Sequence, residues 1–221
     1  MDNEIYRGVL TGFNEAFVVD GEKREELIDE DPKSEEILKP LVIGKDIKRY
    51  HVKQRDRWLI WTYRGVDIDR YPAIYEHLEQ YREQLEDRWD KGDHWWELRP
   101  CDYYDEFEKP KLMLPDIAER AAVYWDTEGL FGRTTVNFMP QKDPGIVALM
   151  NFLVVSAWYG SESAVYRGGY LRFKREYLVH IPIRRTSFTT PKKERENEVE
   201  KLKNLYREAV SPSGPVGPTL T

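Results

Sequence analysis

The residues with the clearest catalytic pattern are Pro115 and Asp116, followed by Glu119 and Arg120. Metal-dependent nucleases often use a Pro-Asp pair followed by Glu-x-Lys, because two carboxylates and a lysine bind Mg²⁺ and activate water. In this sequence the spacing is shorter, and no proper Glu-x-Lys follows. A strand that ends in a proline turn is the more ordinary interpretation, and a Mg²⁺-dependent nuclease is kept as a minor alternative.

Other catalytic patterns find no support in the sequence. The four histidines are far apart, and none lies at metal-ligand spacing from another histidine or from Cys101, so we expect no zinc site. Gly-x-Gly-x-x-Gly and Gly-x-Ser-x-Gly are both missing. Cys101 has no paired histidine and is expected to be a small buried residue. We therefore expect a chain with no cofactor and no catalysis of its own.

Basic residues concentrate in two stretches of a chain whose net charge is −6. Residues 41–70 hold eight Lys and Arg against four acids, and residues 163–185 hold six against one. The acids concentrate in residues 1–40 and 71–109, with twelve in each range. If the two basic stretches fold onto one face, that face can bind DNA phosphates. The alternative is that both are ordinary solvated surface.

The composition is that of a folded protein with a sizeable core, with 40% hydrophobic and 33% charged residues. No stretch approaches the ~20 apolar residues of a membrane span, so no membrane association is expected. The acidic N-terminus argues against a signal peptide, and the single cysteine excludes a disulfide framework. These features predict a cytoplasmic protein.

Hydrophobic spacing predicts an α+β fold, in which a mixed β-sheet carries two main packed helices and a charged C-terminal helix. The first main helix opens at Pro72, and the second covers roughly residues 145–158. The apolar face of the first helix is predicted to carry Ile74, Leu78, Tyr81, Leu85 and Trp89. The other predicted elements are a strand, glycine turn and strand over 5–20, a short helix from Asp31-Pro32, strands at 58–63, 111–114 and 170–173, and an extended segment at 177–183.

The composition also divides the chain into three parts. Residues 1–190 are predicted to form one globular domain. Residues 191–210 are predicted to form a charged helix with one apolar side, which packs on this domain or on a partner. Residues 211–221 are rich in Ser, Pro and Gly and are expected to be disordered.

Four stretches, in this order, resemble one protein family. They are Gly8-Val9-Leu10-Thr11-Gly12-Phe13-Asn14-Glu15-Ala16-Phe17; Asp31-Pro32-Lys33-Ser34 through Leu38-Lys39-Pro40 to Gly44-Lys45-Asp46-Ile47-Lys48-Arg49-Tyr50; Trp58-Leu59-Ile60 through Tyr71-Pro72-Ala73-Ile74 to Trp96-Glu97-Leu98-Arg99; and Pro110-Lys111-Leu112 with Gly168-Gly169-Tyr170-Leu171-Arg172 and Ile181-Pro182-Ile183. They are similar to the TaqI-like specificity domain, the target-recognition part of type II and type IIG restriction–modification enzymes that methylate adenine.

The resemblance implies sequence-specific recognition of double-stranded DNA. In that family the catalytic domain lies upstream and carries an Asn-Pro-Pro-Tyr-type motif, at which the target adenine is flipped out of the duplex. This sequence has no such motif. S-adenosylmethionine and Mg²⁺ are therefore expected only in the missing catalytic domains. The expected partners are double-stranded DNA and an N-terminal methyltransferase domain or subunit.

In such a domain, phosphate contacts fix the position of the protein, and base-edge contacts read the sequence. The candidate DNA-binding residues lie in two glycine-containing segments near the N-terminus, beside the entry to the first main helix, and around Gly168-Gly169. They are Arg7, Thr11, Asn14, Lys45, Asp46, Lys48, Arg49, Tyr63, Arg64, Arg70, Arg167 and Arg172. Asp46 would either accept a hydrogen bond from a cytosine amino group or hold Lys48 or Arg49 in place.

A second functional class stays open at this point. The chain could be a protein-interaction module that joins a partner through its C-terminal helix. That hypothesis predicts no DNA binding at any salt concentration, whereas the specificity-domain hypothesis predicts salt-dependent binding.

Overall fold

The computed structural model describes residues 5–140, 145–162, 165, 168–181 and eight positions between 193 and 207. Its strands are β1 (Tyr6–Arg7), β2 (Val18–Val19), β3 (Leu38–Val42), β4 (Ile47–Lys48), β5 (His51–Val52), β6 (Trp58–Ile60), β7 (Lys111–Pro115), β8 (Ile117–Ala118), β9 (Tyr124–Asp126), β10 (Phe131–Gly132), β11 (Val136–Pro140) and β12 (Leu171–Arg172). Its α-helices are α1 (Asn14–Phe17), α2 (Gly21–Glu30), α3 (Pro72–Glu79), α4 (Arg82–Glu86), α5 (Gly145–Met150), α6 (Leu153–Glu162) and α7 (Arg175–Leu178). The predicted α+β class is confirmed.

Two four-stranded sheets organise these elements. The first has the order β1-β11-β7-β9 and is antiparallel throughout. The second has the order β10-β3-β6-β2, and its β10 and β3 are parallel. Two-stranded ladders join β4 to β5 and β8 to β12. Most of these pairings link segments that are distant in sequence.

The first sheet lies between two hydrophobic cores. Its central strand β7 is buried along its whole length, and side chains alternate between the two faces of a strand. Met113 accordingly belongs to the core shared with the second sheet, while Leu112 and Leu114 belong to the core that includes Val147 and Tyr159 of α5 and α6. Burial on both faces explains why this strand reads as an uninterrupted apolar run.

The N-terminal segment differs from the predicted hairpin over residues 5–20. β1 pairs with β11 and β2 pairs with β6, so the two strands lie in different sheets. Gly8 serves a close backbone approach in place of a local turn, whereas Gly12 has a positive φ of 72°. A Cβ at Gly8 would lie 2.3 Å from the carbonyl oxygen of Arg133, and Val9 N donates to Gly132 O at 2.7 Å.

The first main helix begins at Pro72 as predicted, but it does not continue to Trp89. α3 ends at Glu79, and α4 ends at Glu86. Trp89 is 89% exposed and lies outside the predicted apolar face. Its neighbour Arg88 is buried instead, because its guanidinium donates to the carbonyl oxygens of Thr11, Trp95 and Glu97.

The second main helix is interrupted. α5 and α6 replace the single helix predicted over 145–158, and Asn151 lies between them. The amide of Asn151 donates to Val123 O at 2.8 Å and accepts from Val123 N at 2.9 Å, which anchors the break to the first sheet. The extended segment predicted at 177–183 is also wrong, because α7 occupies its start.

The strands predicted at 58–63, 111–114 and 170–173 each correspond to a strand of the structure. The predicted helix over 191–210 falls largely outside the described residues, and the positions described between 193 and 207 are helical. The tail at 211–221 lies wholly outside them. No helix in the described part of the chain is long and apolar enough to cross a membrane.

Candidate nucleic-acid interface

Residues 132–136, here called the junction loop, connect β10 to β11 and receive contacts from several distant segments. On one side Gly8 N donates to Val136 O at 2.8 Å. On the other side Gly44 N donates to the hydroxyl of Thr135 at 2.9 Å, and Asp116 N donates to Thr135 O at 2.8 Å. The loop is therefore held by backbone donors from three directions.

Gly44 is required by this arrangement. A Cβ at Gly44 would lie 2.5 Å from the carbonyl oxygen of Thr135 and 3.2 Å from the side chain of Pro115. Asp116 extends the arrangement, because its carbonyl accepts from Phe173 N at 2.7 Å and so brings the end of β12 beside the loop.

Four cationic side chains surround the junction loop. Arg7 is exposed and its Nε donates to Thr134 O at 3.2 Å. Lys45 is exposed and follows Gly44 directly, and Arg133 belongs to the loop. Arg172 is 32% exposed, and its Nε lies 3.6 Å from the carboxylate of Asp116. The structure thus brings together three predicted site residues from separate parts of the sequence and adds a fourth cation.

The added residue, Arg133, was not among the predicted contacts. Within the part of the chain that the structure describes, no carboxylate pairs with Arg7, Lys45 or Arg133. The signal in the sequence is the polar run Arg133-Thr134-Thr135 between the apolar strands β10 and β11. Such a run is typical of a displayed loop, but only the fold shows which segments meet it.

Asp46 has a structural role, and this corrects the expectation that it contacts a base or holds Lys48 or Arg49. Its side chain is fully buried. One carboxylate oxygen accepts from Arg55 Nε at 3.1 Å, and the other accepts from the backbone of Ile43 at 3.1 Å and from Arg57. The carboxylate stabilises the turn that displays Lys45.

Lys48 and Arg49 lie on the hairpin of β4 and β5 and differ in availability. Lys48 is exposed. Arg49 Nη2 donates to Asn151 O at 2.7 Å, so it ties the hairpin to the break between α5 and α6. Tyr50 completes the turn with a positive φ of 66°. Lys48 stays a candidate DNA contact, while Arg49 has a protein partner.

Thr11 is not accessible for a DNA contact, because it is only 4% exposed. Its hydroxyl donates to the side chain of Asn14 at 2.8 Å, and its carbonyl accepts from buried Arg88 at 2.9 Å. Asn14 is exposed at the start of α1. The segment predicted to contact DNA through Thr11 is therefore packed against the protein.

The candidates beside the first main helix already have partners within the protein. Arg64 makes two hydrogen bonds to Asp93, at 2.8 and 3.0 Å, which lower the pKa of that carboxyl group. Arg70 pairs with Glu36 at 3.2 Å, and Tyr63 is 37% exposed. None of the described contacts connects Arg64 or Arg70 with the junction loop. Arg167 lies outside the described residues.

The structure also places the catalytic candidates Asp116 and Cys101. Asp116 faces Arg172, and the described residues contain no group of three or more His, Cys, Asp or Glu side chains that could hold a metal ion. Cys101 is half-buried, and burial raises the pKa of its thiol, which disfavours the nucleophilic thiolate.

Comparison with known families defines the class to which this fold belongs. Residues 39–183 match the family model of the TaqI-like C-terminal specificity domain. The match covers well over half of the chain, so the chain belongs to this family. The resemblance drawn from the four sequence stretches is confirmed.

Individual relatives agree with this assignment. The chain is 28% identical over 193 residues to the type II methyltransferase M.PaeR7I of Pseudomonas aeruginosa, a match that covers 80% of this chain and 32% of that protein. It is 24% identical over 217 residues to the type II methyltransferase M.MjaIV of Methanocaldococcus jannaschii, covering 92% of this chain and 69% of the relative. The chain therefore spans about a third of M.PaeR7I.

A solved structure has the same fold. The type IIL restriction–modification enzyme MmeI, determined in complex with DNA, superimposes with a TM-score of 0.69 at 15% sequence identity. The superposition covers 95% of this chain and 28% of the MmeI chain. At this identity the likeness shows the fold alone.

Proposed function

We propose that this chain recognises a specific sequence in double-stranded DNA, as the specificity domain of a restriction–modification adenine methyltransferase in the cytoplasm. The observation that carries the proposal is the convergence of Arg7, Lys45, Arg133 and Arg172 around the junction loop. Methyl transfer would be performed by a separate methyltransferase domain or subunit, and S-adenosylmethionine and Mg²⁺ would be held only by the catalytic domains outside this chain.

The local charge around the junction loop favours DNA although the whole chain is negative. DNA affinity depends on the cations that meet the phosphates, and acids on a different face subtract little at physiological salt, where charges are screened over ~8 Å. Arg7, Lys45 and Arg133 have no carboxylate partner among the described residues, so they can contact DNA without first breaking an ion pair to one of these. That saves the cost of exchanging a carboxylate partner.

The junction loop also carries groups that can read bases. An arginine can donate two hydrogen bonds to a guanine in the major groove, and threonine hydroxyls can bond to several bases. Arg133, Thr134 and Thr135 supply both kinds of group on adjacent positions. Because backbone hydrogen bonds hold the loop on both sides, little conformational freedom would be lost on binding. We assign base reading to this loop and phosphate contact to Arg7, Lys45 and Lys48.

Titration of duplex DNA at several salt concentrations tests the electrostatic part. Lys45→Ala removes one phosphate contact, so it should weaken binding to all sequences and reduce the slope of log K against log salt by about 0.9. Lys33→Ala is the matched control, because Lys33 is exposed on a 3-10 turn that precedes the start of β3. The junction loop lies at the other end of this strand, where Val42 pairs with Gly132. Equal binding by both variants would contradict the proposed interface.

A further inference from the structure

The hairpin of β4 and β5 has one face on the core and one face in solvent. In its ladder Lys48 is opposite His51, and Ile47 is opposite Val52. Residues directly opposite each other share a face, and successive positions alternate between faces. Ile47 belongs to the hydrophobic core and Val52 packs against it, whereas Lys48 and His51 are exposed. The face that carries Lys48 is therefore the one turned to solvent.

Lys53 and Arg55 continue this face beyond the hairpin. Lys53 N donates to Asp46 O at 2.9 Å, which adds one pair to the ladder and places Lys53 on the same side as Lys48. Two positions along a strand span about 6.8 Å, about two steps of 3.4 Å along a DNA strand, so the two lysines can contact separate phosphates. Arg55 reaches the carboxylate of Asp46, and 49% of its side chain is exposed. The outer hairpin face comprises Lys48, His51, Lys53 and Arg55.

Asp46 leaves this face positive although its carboxylate lies beneath it. The carboxylate accepts from Arg55 Nε at 3.1 Å and also from Arg57, so two guanidinium groups share one buried negative charge. Among the described contacts of Arg55, only Nε is used in this way. A guanidinium has five N–H donors, so Arg55 keeps donors that can bind a phosphate.

Two further acids lie near the hairpin, and both accept hydrogen bonds within the protein. Glu128 borders the same cleft as His51 and accepts from Gln54 Nε2 at 3.1 Å. Asp56 accepts from Trp58 Nε1 at 3.2 Å. Over the described residues, no carboxylate pairs with either lysine of the outer hairpin face. The four cations exceed the three acids by one; they are Lys48, Lys53, Arg55 and Arg57 against Asp46, Asp56 and Glu128.

The hairpin is firmly attached next to the junction loop. Arg49 Nη2 donates to Asn151 O at 2.7 Å, and Tyr50 N donates to Val123 O at 3.1 Å, so the tip is anchored at two points. At its base the hairpin continues into the turn at Gly44, whose nitrogen bonds to the junction loop. The two basic elements are thus held in position relative to each other, and little conformational freedom would be lost when both bind one ligand.

The composition of the outer hairpin face favours DNA over a protein partner. None of the exposed large apolar side chains of the described residues lies between positions 44 and 57. The buried centre of a protein interface is enriched in aromatic and apolar groups, which this face does not offer. A two-stranded β-ribbon also fits the major groove of DNA, so the hairpin can approach a duplex closely.

We propose that the outer hairpin face is a second DNA-contact element, in which Lys53 and Arg55 bind backbone phosphates beside the one bound by Lys48. This inference rests on the proposed function and extends the DNA contact from the junction loop along the hairpin. It adds two phosphate contacts to those of Arg7, Lys45 and Lys48.

Titration of duplex DNA at several salt concentrations tests Lys53 first, because Arg55→Ala would also remove a partner of buried Asp46. Lys53→Ala should weaken binding to all sequences roughly fivefold and reduce the slope of log K against log salt by about 0.9. The enriched motif should stay the same, because a phosphate contact does not read bases. Lys33→Ala is the control and should change neither the affinity nor the slope.

Neutral methylphosphonate linkages locate the contact. They are placed one at a time in a duplex that carries the enriched motif. At one linkage we expect the replacement to weaken binding by the unaltered chain and by Lys45→Ala, but to have little further effect on Lys53→Ala. Such non-additivity at a single linkage identifies the phosphate that Lys53 contacts.

Unchanged affinity and slope in Lys53→Ala would overturn the second contact element, and so would equal sensitivity of Lys53→Ala and the unaltered chain to every methylphosphonate. A base preference lost in Lys53→Ala would overturn the assignment to phosphate. Weaker association with another polypeptide, at unchanged DNA affinity, would make this face a protein interface. Salt-dependent binding without any motif, weakened in Lys53→Ala, would reject sequence recognition and keep this element.

Discussion

Lys111 and Asp126 form a completely buried ion pair, in which Nζ lies 2.5 Å from a carboxylate oxygen. Lys111 also donates to Phe107 O at 2.6 Å, and the same carboxylate accepts from Leu130 N at 2.9 Å. Burial lowers the pKa of Lys111, and the charge of Asp126 opposes that shift. The pair therefore ties the start of β7 to the end of β9 and, through Leu130 N, to the residue that precedes β10.

Removal of this lysine should be strongly destabilising. In Lys111→Met the carboxylate of Asp126 stays buried without its cation, and breaking a buried pair in this way typically costs about 3–5 kcal/mol. Lys109→Met is the control, because Lys109 is 53% exposed in its ion pair with Glu106 and should lose less than about 1 kcal/mol. Urea denaturation measures both free energies of unfolding. Similar losses in the two variants would contradict the role given to the buried pair.

His77 should make stability depend on pH. It is buried with Nε2 3.0 Å from Ala16 O, and burial lowers the pKa of its imidazole. The unfolded chain gains a proton near pH ~6.5, whereas the folded chain gains it only at lower pH, so the free energy of unfolding falls as the pH drops below that point. In His77→Gln this contribution is absent, and urea denaturation at about pH 7.5 and about pH 5.5 should show a smaller difference than in the unaltered protein. An identical difference would show that His77 is not responsible.

Gly44→Ala should disturb the junction loop. The added methyl group would meet the carbonyl oxygen of Thr135 at 2.5 Å, and overpacking against backbone costs about 1–3 kcal/mol. Gly160→Ala in α6 is the matched control, because its new methyl would lie 3.8 Å from Leu171 and alanine favours a helix by about 0.5–1 kcal/mol. The midpoint of thermal denaturation should therefore fall for Gly44→Ala and rise for Gly160→Ala. DNA affinity should fall only for Gly44→Ala.

Lys48 and Arg49 are neighbours with different expected phenotypes. Lys48→Ala should weaken DNA binding and leave the free energy of unfolding within about 0.5 kcal/mol, because its side chain is exposed. Arg49→Ala removes the hydrogen bond to Asn151 O and should lower stability by about 1–3 kcal/mol. Parallel measurement of DNA affinity and urea denaturation separates the two effects. Full stability of Arg49→Ala would return Arg49 to the candidate DNA contacts.

The elements that sequence predicts well are those with a strong local signal. Pro72 marks the start of α3 because proline fits the first turn of a helix, and the apolar run of residues 112–114 marks β7 because both faces of that strand are buried. The family resemblance depended on such local motifs in order and did not require their contacts.

The elements that sequence predicts poorly depend on distant partners. The glycine at position 8 reads as a hairpin turn, yet its requirement comes from the carbonyl of Arg133, 125 residues away. Trp89 fits the helical spacing, yet Arg88 turns inward to carbonyls at positions 11 and 97 and ends the periodicity. Among the candidate site residues, Asp46 and Thr11 were misjudged for the same reason, since residue type does not reveal burial.

Selection from a randomised pool of duplex DNA, followed by sequencing of the bound fraction, tests the central claim most directly. The account predicts an enriched motif of a few base pairs for the unaltered chain. Arg133→Ala should lose the preference at one position, with a change of about 1–3 kcal/mol in discrimination, while Lys33→Ala keeps the whole motif. Absence of DNA binding even at low salt would contradict the account and favour a protein-interaction module.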